Sequence, residues 1–545
     1  MKSNILKLQG NIVDIFRKKT FKGEIIISNG YIKDIAPITL KSNNYILPGF
    51  IDSHIHIESS MLIPSIFAHE AIKYGTIATI SDPHEIANVC GFKGVEFMIR
   101  NSKRTTFNFF FGAPSCVPAT TFETNGATIS PTDIEKFFTE FDLKYLSEVM
   151  DFNSVINKDA TMIEKINVAK KYSKKIDGHA PGLTGINLEK YIKVGIDTDH
   201  ECTSLDEAIK KINLGMKIQI REGSAAKNFD NLIELIDIFP DQVMICSDDL
   251  HPDDLKLGYL NKLFKKAIEH KINIYNFLMA ISYNPVKHYN LPIGLLRIND
   301  PADFIVLDNF ENCNILQTYI KGKCVYKINE KQNEPISRVE PINNFNIHSI
   351  KTSDLIVKSS NHKIKVIEAI NKELFTNCIL CEPKIEDGNI ISDVEKDLLK
   401  IVVVNRYFDS KPQIGFIKGF GLLKGAIASS ICHDSHNIIS LGTNDLDIAN
   451  AINRIIELKG GIAVVSNDLV FDLSLDIAGL MSTEPFDRIV FKYQQINNKI
   501  KEFGSKMTSP LMMLSFMGLL VIPELKISDK GLFDVNNFKF TSLFE

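Results

Sequence analysis

The chain has 545 residues, and at about 150 residues per domain this length predicts roughly three or four domains. Apolar residues make up 44% of the chain and charged residues 23%, proportions that exclude a disordered or fibrous protein. Because 62 basic residues stand against 66 acidic ones, the net charge is −4, and the charge balance indicates neither a nucleic-acid partner nor an anionic membrane surface.

Cysteine usage and the N-terminus both favour a cytoplasmic protein. The 9 cysteines are sparse and odd in number, which is typical of reduced thiols. The first residues lack the apolar core and cleavage site of a signal peptide. The longest apolar run, residues 511–522, is shorter than the ~20 residues of a membrane span. We therefore expect a soluble protein without a membrane partner.

The two segments that flank the middle of the chain carry strand patterns. Runs rich in β-branched and apolar residues lie at residues 12–16, 24–28, 303–307 and 324–326. The dipeptide Asn29–Gly30 after the second run predicts a tight turn. Because distant segments of a chain often lie together in a domain, we expect residues 1–47 and 291–335 to form one small β-domain, a β-sandwich.

Between residues 48 and 290 short apolar runs alternate with longer helical patterns, which is typical of βα units on a parallel sheet. The runs are residues 46–55, 76–80, 107–112, 145–150, 175–179, 195–199, 217–220 and 242–246. Eight units over roughly 240 residues match a (β/α)8 barrel of the TIM type. A doubly wound α/β sheet is the competing architecture, but the regular units and their polar strand ends favour the barrel.

The last third of the chain predicts a further α/β domain. Residues 327–338 are rich in lysine and asparagine and predict an exposed linker. Beyond it, a strand pattern at residues 400–404 and a helix pattern at 447–458 place the domain at residues 345–545. His433, Asp434 and His436 follow an apolar strand pattern there. They predict either a loop that closes over the barrel mouth or a structural hydrogen-bond network.

Histidines and acids follow the predicted strands at their C-terminal ends, where barrel enzymes build their active sites. His54 and His56 would face the same side of the first strand, so their imidazoles could chelate a divalent metal. Two unrelated surface histidines are the alternative for this pair alone. Glu148 lies inside an apolar run, where a buried carboxylate is costly unless it is paired or bound to metal. Later strand ends add His179, His200, Asp248 and Asp249.

More polar residues follow the second and seventh predicted strands. They are Asp82, His84 and Glu85 in one segment and Arg221, Glu222 and Ser224 in the other. These side chains are candidates for binding a substrate or for orienting metal ligands. The alternative is a loop network that only supports the site.

Longer motifs carry a family resemblance. Residues 48–56 and 292–307 resemble the two signatures that flank the barrel in the amidohydrolase superfamily of metal-dependent hydrolases. More narrowly, several motifs resemble those of bacterial and archaeal adenine deaminases. They lie at residues 57–60, 81–88, 177–182, 220–224, 247–252, 433–437 and 521–525. The resemblance therefore covers nearly the whole chain.

The resemblance implies an enzyme of purine salvage that converts adenine and water to hypoxanthine and ammonia with a metal-activated hydroxide. It also implies a binuclear divalent metal centre that holds Mn²⁺ or Fe²⁺, with Zn²⁺ as an alternative. Its ligands would be His54, His56 and Asp248 for the first metal and His179 and His200 for the second. Many superfamily members bridge the two metals with a carboxylated lysine, and Glu148 stands at the matching position here.

The implied reaction needs proton transfers at two places. Asp248 would take a proton from the attacking water. If the strand alternation is shifted by one residue, Asp249 rather than Asp248 faces the site and is the metal ligand. Glu148 and Glu222 are both candidates for the acid that protonates a ring nitrogen. We expect adenine as the small-molecule substrate and a homo-oligomer. The alternatives are an amidohydrolase acting on a cyclic amide or isopeptide, and a non-catalytic binding protein.

Overall fold

The computed structural model describes residues 5–39, 43–331, 339–360 and 362–545. It begins with strands β1 (Ile5–Asp14), β2 (Lys19–Ser28), β3 (Tyr31–Pro37) and β4 (Tyr45–Pro48). β1 and β2 pair antiparallel along their whole length. The turn between β2 and β3 is formed by Asn29 and Gly30, both with positive φ, which is the backbone conformation expected of this dipeptide in a hairpin.

The middle of the chain forms an α/β domain of parallel strands. Its strands are β5 (Phe50–His56), β6 (Thr76–Ser81), β7 (Asn108–Ala113), β8 (Tyr145–Val149), β9 (Lys175–Gly178), β10 (Thr198–Asp199), β11 (Lys217–Arg221), β12 (Val243–Cys246) and β13 (Asp248–Asp249). They form one sheet with the order β13-β5-β6-β7-β8-β9 and a second with the order β10-β11-β12. Nearly every residue of these strands is buried, as expected for parallel strands covered on both faces.

Helices cover the outside of these sheets. They are α1 (Pro64–Ala71), α2 (His84–Ser102), α3 (Pro131–Glu140), α4 (Phe152–Ile156), α5 (Ala160–Lys171), α6 (Gly185–Lys193), α7 (Leu205–Asn213), α8 (Phe229–Leu232), α9 (Leu235–Ile238), α10 (Pro252–Leu257), α11 (Leu260–Glu269), α12 (Ile274–Leu278) and α13 (Asn284–Tyr289). Ser130, Asp159 and Ser204 each precede a helix and accept a hydrogen bond from a backbone N–H of its first turn.

The two parallel sheets adjoin along both of their outer edges. On one side the Asp197 N–H donates to the Ile176 carbonyl at 3.2 Å, between β9 and β10. On the other side the Ser53 Oγ donates to the Ile245 carbonyl at 2.8 Å, between β5 and β12. Each of the apolar runs expected from the sequence overlaps one of these strands. The parallel α/β organisation is therefore confirmed.

The chain then returns to its first strands. The returning strands are β14 (Phe304–Leu307), β15 (Ile315–Ile320) and β16 (Lys323–Lys327), and β14 pairs antiparallel with β4. The result is one seven-stranded sheet with the order β16-β15-β14-β4-β1-β2-β3. Tyr31, on the edge strand β3, forms an antiparallel bridge with Pro301, just before β14. The sheet is therefore curled, so that this edge approaches strands on its other side. The two flanking segments thus contribute strands to one sheet, and their assignment to one small β-sandwich domain stays a prediction.

Residues 332–338 of the expected linker lie outside the described residues. Beyond them the strands are β17 (Val357–Lys358), β18 (Ile364–Ala369), β19 (Thr376–Cys381), β20 (Lys384–Glu386), β21 (Asn389–Ile391), β22 (Leu399–Val404), β23 (Gln413–Lys418), β24 (Ala426–Ser429), β25 (Ile438–Gly442), β26 (Gly461–Ser466), β27 (Leu469–Ser474), β28 (Leu525–Ser528), β29 (Gly531–Asp534) and β30 (Lys539–Phe540). The helices are α14 (Asp445–Leu458), α15 (Phe486–Glu502) and α16 (Pro510–Phe516). Eight of these strands form a sheet in the order β19-β18-β23-β22-β25-β24-β26-β27.

This C-terminal region packs on the parallel sheets at the end where their strands terminate. A single apolar core runs through both regions. Hydrogen bonds also join them, including Asn437 Nδ2 to the Thr124 carbonyl at 3.0 Å and the Ser482 N–H to the Met61 carbonyl at 2.9 Å. Among the described residues, the helices are all too short or too polar to cross a lipid bilayer.

Candidate active site

Glu148, at the end of β8, lies between two groups of histidines. Its Oε2 is 2.9 Å from His179 Nδ1 and 3.3 Å from His200 Nε2. Its Oε1 is 3.3 Å from His56 Nε2 and 4.0 Å from His54 Nε2. Burial opposes ionisation, but hydrogen bonds from the surrounding histidines hold the pKa of this carboxyl well below its usual value. Each carboxylate oxygen of Glu148 therefore faces a different group of imidazoles.

Asp248, on β13, completes one of the two groups. Its Oδ1 lies 3.1 Å from His56 Nε2 and 3.5 Å from His54 Nε2, and its Oδ2 accepts a hydrogen bond from Arg221 Nη1 at 2.7 Å. The φ of Asp248 is 59°, so the simple alternation of a strand is broken there. Asp249 instead accepts a hydrogen bond from Ser59 Oγ at 2.5 Å. The structure thus places Asp248, rather than Asp249, among the histidines.

These residues define the strand-end cluster: His54, His56, Glu148, His179, His200 and Asp248. All of them are buried, and they come from five different strand ends because parallel strands terminate at the same edge. Asp82 and His84 adjoin the cluster. His84 Nδ1 lies 3.2 Å from Asp82 Oδ2 and 3.6 Å from Glu148 Oε1. Burial opposes protonation of His84, yet the adjacent Asp82 carboxylate raises its pKa to about 10.

Glu201 also lies beside the cluster, although its neighbour His200 was the residue singled out from the sequence. Arg221 Nη1 and Nη2 donate to its two carboxylate oxygens at 2.5 and 2.9 Å. Glu201 Oε1 lies 3.4 Å from His200 Nε2 and 3.5 Å from His179 Nδ1. Burial opposes ionisation of Glu201, but the Arg221 guanidinium holds its pKa well below the usual range. The position of Glu201 at the end of a predicted strand was the signal that could have identified it.

Two of the expected site residues lie elsewhere. Glu222 follows Arg221 and turns to the opposite side of the strand end, where its Oε1 pairs with Lys266 Nζ of α11 at 2.7 Å. The structure therefore does not bring Glu222 to the strand-end cluster. Ser224 Oγ accepts a hydrogen bond from the His251 N–H at 2.8 Å and lines a cavity beside the cluster.

The C-terminal region forms the roof of the site. A cavity of about 40 Å³ is lined by every residue of the strand-end cluster except His54, and also by His433, Asp434 and an apolar wall. The wall consists of Leu374, Met512, Phe516, Leu519 and Ile522. A second cavity, of about 960 Å³, shares Arg221 and Leu374 with the first. The segment around His433 thus lies at the mouth of the site.

The donor set fits divalent cations. His54, His56 and Asp248 bring three possible ligand atoms within 4.8 Å of one another, and so do His179, His200 and Glu201. His54 Nε2 and His56 Nε2 face each other at 3.1 Å. Burial and the nearby His200 lower the pKa of His54 to about 4. Burial also opposes protonation of His56, but its hydrogen bonds to Asp248 and Glu148 raise its pKa well above the usual value.

Comparisons with known proteins cover the whole chain. The family model described as the amidohydrolase family matches residues 45–325, and the model of the adenine deaminase C-terminal domain matches residues 373–539. A curated adenine deaminase of Methanosarcina mazei is 49% identical, and the match covers 99% of each chain. The adenine deaminase of Borreliella afzelii is 49% identical over 98% of this chain and 99% of its own. That of Parabacteroides distasonis is 48% identical over 99% of each chain.

Proposed function

The chain belongs to the adenine deaminase family of the amidohydrolases, and we propose that its strand-end cluster is the site where adenine is hydrolysed to hypoxanthine and ammonia. The observation that carries this proposal is the position of Glu148 between two groups of imidazoles. This arrangement lies in a chain that matches adenine deaminases from end to end. An amidohydrolase acting on a cyclic amide or isopeptide is the alternative that the experiment below separates.

The cluster would hold two divalent cations. His54, His56 and Asp248 would bind one, His179 and His200 the other, and Glu148 would lie between them. Cations at this place would act as Lewis acids and lower the pKa of a water molecule towards neutrality. Nitrogen and oxygen donors without thiolates suit Mn²⁺ or Fe²⁺, and they also accept Zn²⁺.

The protein groups of the site handle protons and charge. Asp248 is the base for the attacking water, because its carboxylate lies at the cluster and Arg221 keeps it ionised. Arg221 also binds Glu201, so one guanidinium balances two buried carboxylates. Of the two glutamates considered as the acid for the ring nitrogen, only Glu148 lines the cavity. Glu148 stays in the proposed site as the ionised carboxylate between the two groups of histidines, and Glu222 lies outside it.

The purine would reach the cluster through the larger cavity. The cavity of about 40 Å³ over the cluster has room for about one water molecule, whose share of liquid volume is roughly 30 Å³. A purine must therefore displace part of the apolar wall and extend into the neighbouring cavity of about 960 Å³. Phe516 and Leu374 of that wall offer flat or apolar surface for the faces of the ring.

We further propose that the two parallel sheets close into one (β/α)8 barrel over residues 48–290. Hydrogen bonds across both edges of the sheets support this closure. The flanking β-domain would comprise residues 1–47 and 291–335 and the C-terminal domain residues 345–545. A role in purine salvage, a cytoplasmic location and a homo-oligomeric state are proposed with the function.

The test is an assay of the purified chain loaded separately with Mn²⁺, Fe²⁺ and Zn²⁺. We expect at least one form to convert adenine to hypoxanthine, followed by ultraviolet absorbance, with one ammonia released per turnover. The cyclic amide dihydrouracil is assayed beside it. A folded, metal-replete protein that hydrolyses dihydrouracil but leaves adenine unchanged would refute the proposal in favour of the alternative.

A further inference from the structure

A second group of buried metal-binding side chains lies where the C-terminal region meets the α/β domain. His84 and Glu85 open helix α2, and His433 and Asp434 come from the loop after β24. These four residues are called the interface cluster, and all are buried. His84 directs its Nδ1 towards Asp82 and Glu148, and its Nε2 towards the interface cluster. The two ring nitrogens of His84 thus face different groups.

The interface cluster carries negative charge that the described residues do not balance with a lysine or arginine. Glu85 is paired with His84, His433 and His436, and Asp434 with His84 and His433. By contrast, the strand-end cluster has the guanidinium of Arg221. Asp434 Oδ2 is buried and lacks a hydrogen-bond partner among the described residues. Two buried carboxylates in such surroundings need a positive partner.

The spacing of the side-chain atoms suits one cation. His84 Nε2 lies 3.6 Å from Glu85 Oε1 and 3.9 Å from Asp434 Oδ1, and His433 Nδ1 lies 3.7 Å from Asp434 Oδ1. Ligands about 2.1 Å from one tetrahedral ion are separated by roughly 3.4 Å. A chain of hydrogen bonds would instead bring each pair to about 2.8–2.9 Å. Among the four residues of the interface cluster only His433 and Glu85 are that close, at 2.8 Å, and Glu85 also pairs closely with His436 outside the cluster.

The loop that supplies His433 and Asp434 is held in place by its own contacts. The His433 ring stacks on Phe516 with 4.6 Å between ring centroids. Tyr407 donates from its hydroxyl to the Ser435 carbonyl at 2.5 Å, and Arg406 Nη1 donates to the His436 carbonyl at 3.2 Å. Ligands whose positions are fixed by neighbouring contacts lose little freedom when an ion binds. The loop is therefore preorganised for a ligand role.

We propose that His84, Glu85, His433 and Asp434 bind a divalent transition-metal ion that joins the C-terminal region to the mouth of the proposed active site. Two imidazoles and two carboxylates are ligands that Zn²⁺ and Mn²⁺ accept. The ion is additional to the pair proposed for the strand-end cluster. It does not depend on the reaction, because its test measures bound metal rather than turnover.

The test compares metal content, measured by mass spectrometry after Mn²⁺ loading and dialysis. The double variant His433→Gln/Asp434→Asn is expected to hold one ion fewer than the wild type. A strand-end variant, His179→Gln/His200→Gln, is expected to lose metal there and still hold the interface ion. His348→Gln, which changes an exposed histidine of the C-terminal region, is the control and should match the wild type. Equal metal content in the wild type and the interface variant overturns the proposal.

A second measurement removes the dependence on a folded variant. Crystals of the wild-type chain grown with Mn²⁺ are used for an anomalous difference map at the manganese edge. A peak within coordinating distance of His84 Nε2, Glu85, His433 and Asp434 supports the site. A map with peaks at the strand-end cluster and none at the interface cluster refutes the proposal while leaving the proposed function intact.

Discussion

The strand-end cluster and the interface cluster use the same residue types but are assembled differently. The first takes its ligands from five strand ends of one parallel domain, between His54 and Asp248. The second joins two segments, His84–Glu85 and His433–Asp434, that are far apart in the sequence and meet only because two regions pack together. Parallel strands bring their C-terminal ends to one edge by geometry alone, whereas the interface depends on how the C-terminal region docks.

The two clusters also differ in how their charge is balanced. Arg221 lies 2.5–2.7 Å from Glu201 and Asp248 and neutralises part of the strand-end cluster. At the interface cluster the described partners of Glu85 and Asp434 are histidines. The carboxylates of the strand-end cluster are therefore partly neutralised by an arginine, and those of the interface cluster need protonated imidazoles or a bound cation to balance their charge.

The largest expected effect comes from the centre of the strand-end cluster. Glu148→Gln removes one negative charge between the two groups of histidines, and we expect kcat/KM for adenine to fall about 1000-fold or more. The metal content should fall at the same time, while the circular dichroism spectrum stays that of a folded chain. A Glu148→Gln protein with full metal occupancy and near-normal turnover would show that the two groups of histidines do not work through Glu148.

The C-terminal region contains a buried lysine, Lys526, whose titration affects the stability of the folded chain independently of the strand-end cluster. Burial lowers the pKa of Lys526, on β28, to about 7 from an ordinary value of 10.5. Between these two pH values the unfolded chain binds a proton that the folded chain does not, so stability rises with pH. Below pH 7 both states are protonated and the full cost of burying the charge remains.

We therefore expect Lys526→Met to be more stable than the wild type at pH 7, and this difference to shrink by about 3 kcal/mol between pH 7 and 9.5. Urea unfolding of both proteins at the two pH values measures it. A difference that stays constant across this range would mean that the buried amine does not titrate there.

Arg221→Met tests the charge compensation of the strand-end cluster. It leaves the carboxylates of Glu201 and Asp248 buried without their guanidinium, and removing one partner of a buried ion pair costs about 3 kcal/mol. The free energy of unfolding in urea should fall by this amount. Lys210→Met, which breaks a pair between two exposed side chains, Lys210 and Asp206, is the control and should change it by less than about 1 kcal/mol. Equal losses in both variants would contradict the compensating role of Arg221.

The smallest effect is expected at Glu222. Its carboxylate pairs with Lys266 away from the cluster, so Glu222→Gln should alter kcat/KM for adenine less than about threefold and stability by less than about 1 kcal/mol. The comparison with Glu148→Gln under the same conditions is informative, because both glutamates fit the sequence equally well as ring acids. If Glu222→Gln lowered kcat/KM for adenine as much as Glu148→Gln does, Glu222 would have to be part of the active site.

The residues of the strand-end cluster could be selected from the sequence because strand alternation and strand order are local patterns. His54 and His56 are two residues apart on β5, and the Nε2 atoms of both lie within 4.0 Å of Glu148 Oε1. The prediction is weaker where the backbone departs from a regular strand. Asp248 has a positive φ, so the choice between it and Asp249 required the structure, and Glu222 lies on the side of its strand end opposite to Arg221.

Contacts between distant segments were beyond the reach of sequence patterns. His433 was recognisable as part of a polar motif, but its pairing with Glu85 at 2.8 Å depends on the docking of two regions. Likewise, the flanking β-segments were expected to combine, but their arrangement as one curled sheet follows from the parallel pairing of β1 with β4. Long-range packing of this kind leaves no periodic signal in the chain.

Isotope incorporation tests most directly whether the strand-end cluster adds water to adenine. Purified Mn²⁺-loaded protein is incubated with adenine in ¹⁸O-labelled water, and the products are weighed by mass spectrometry. We expect hypoxanthine that carries one ¹⁸O atom, with one ammonia for each molecule formed, and loss of this product in Glu148→Gln. Folded, metal-loaded wild-type protein that forms no labelled hypoxanthine would contradict it.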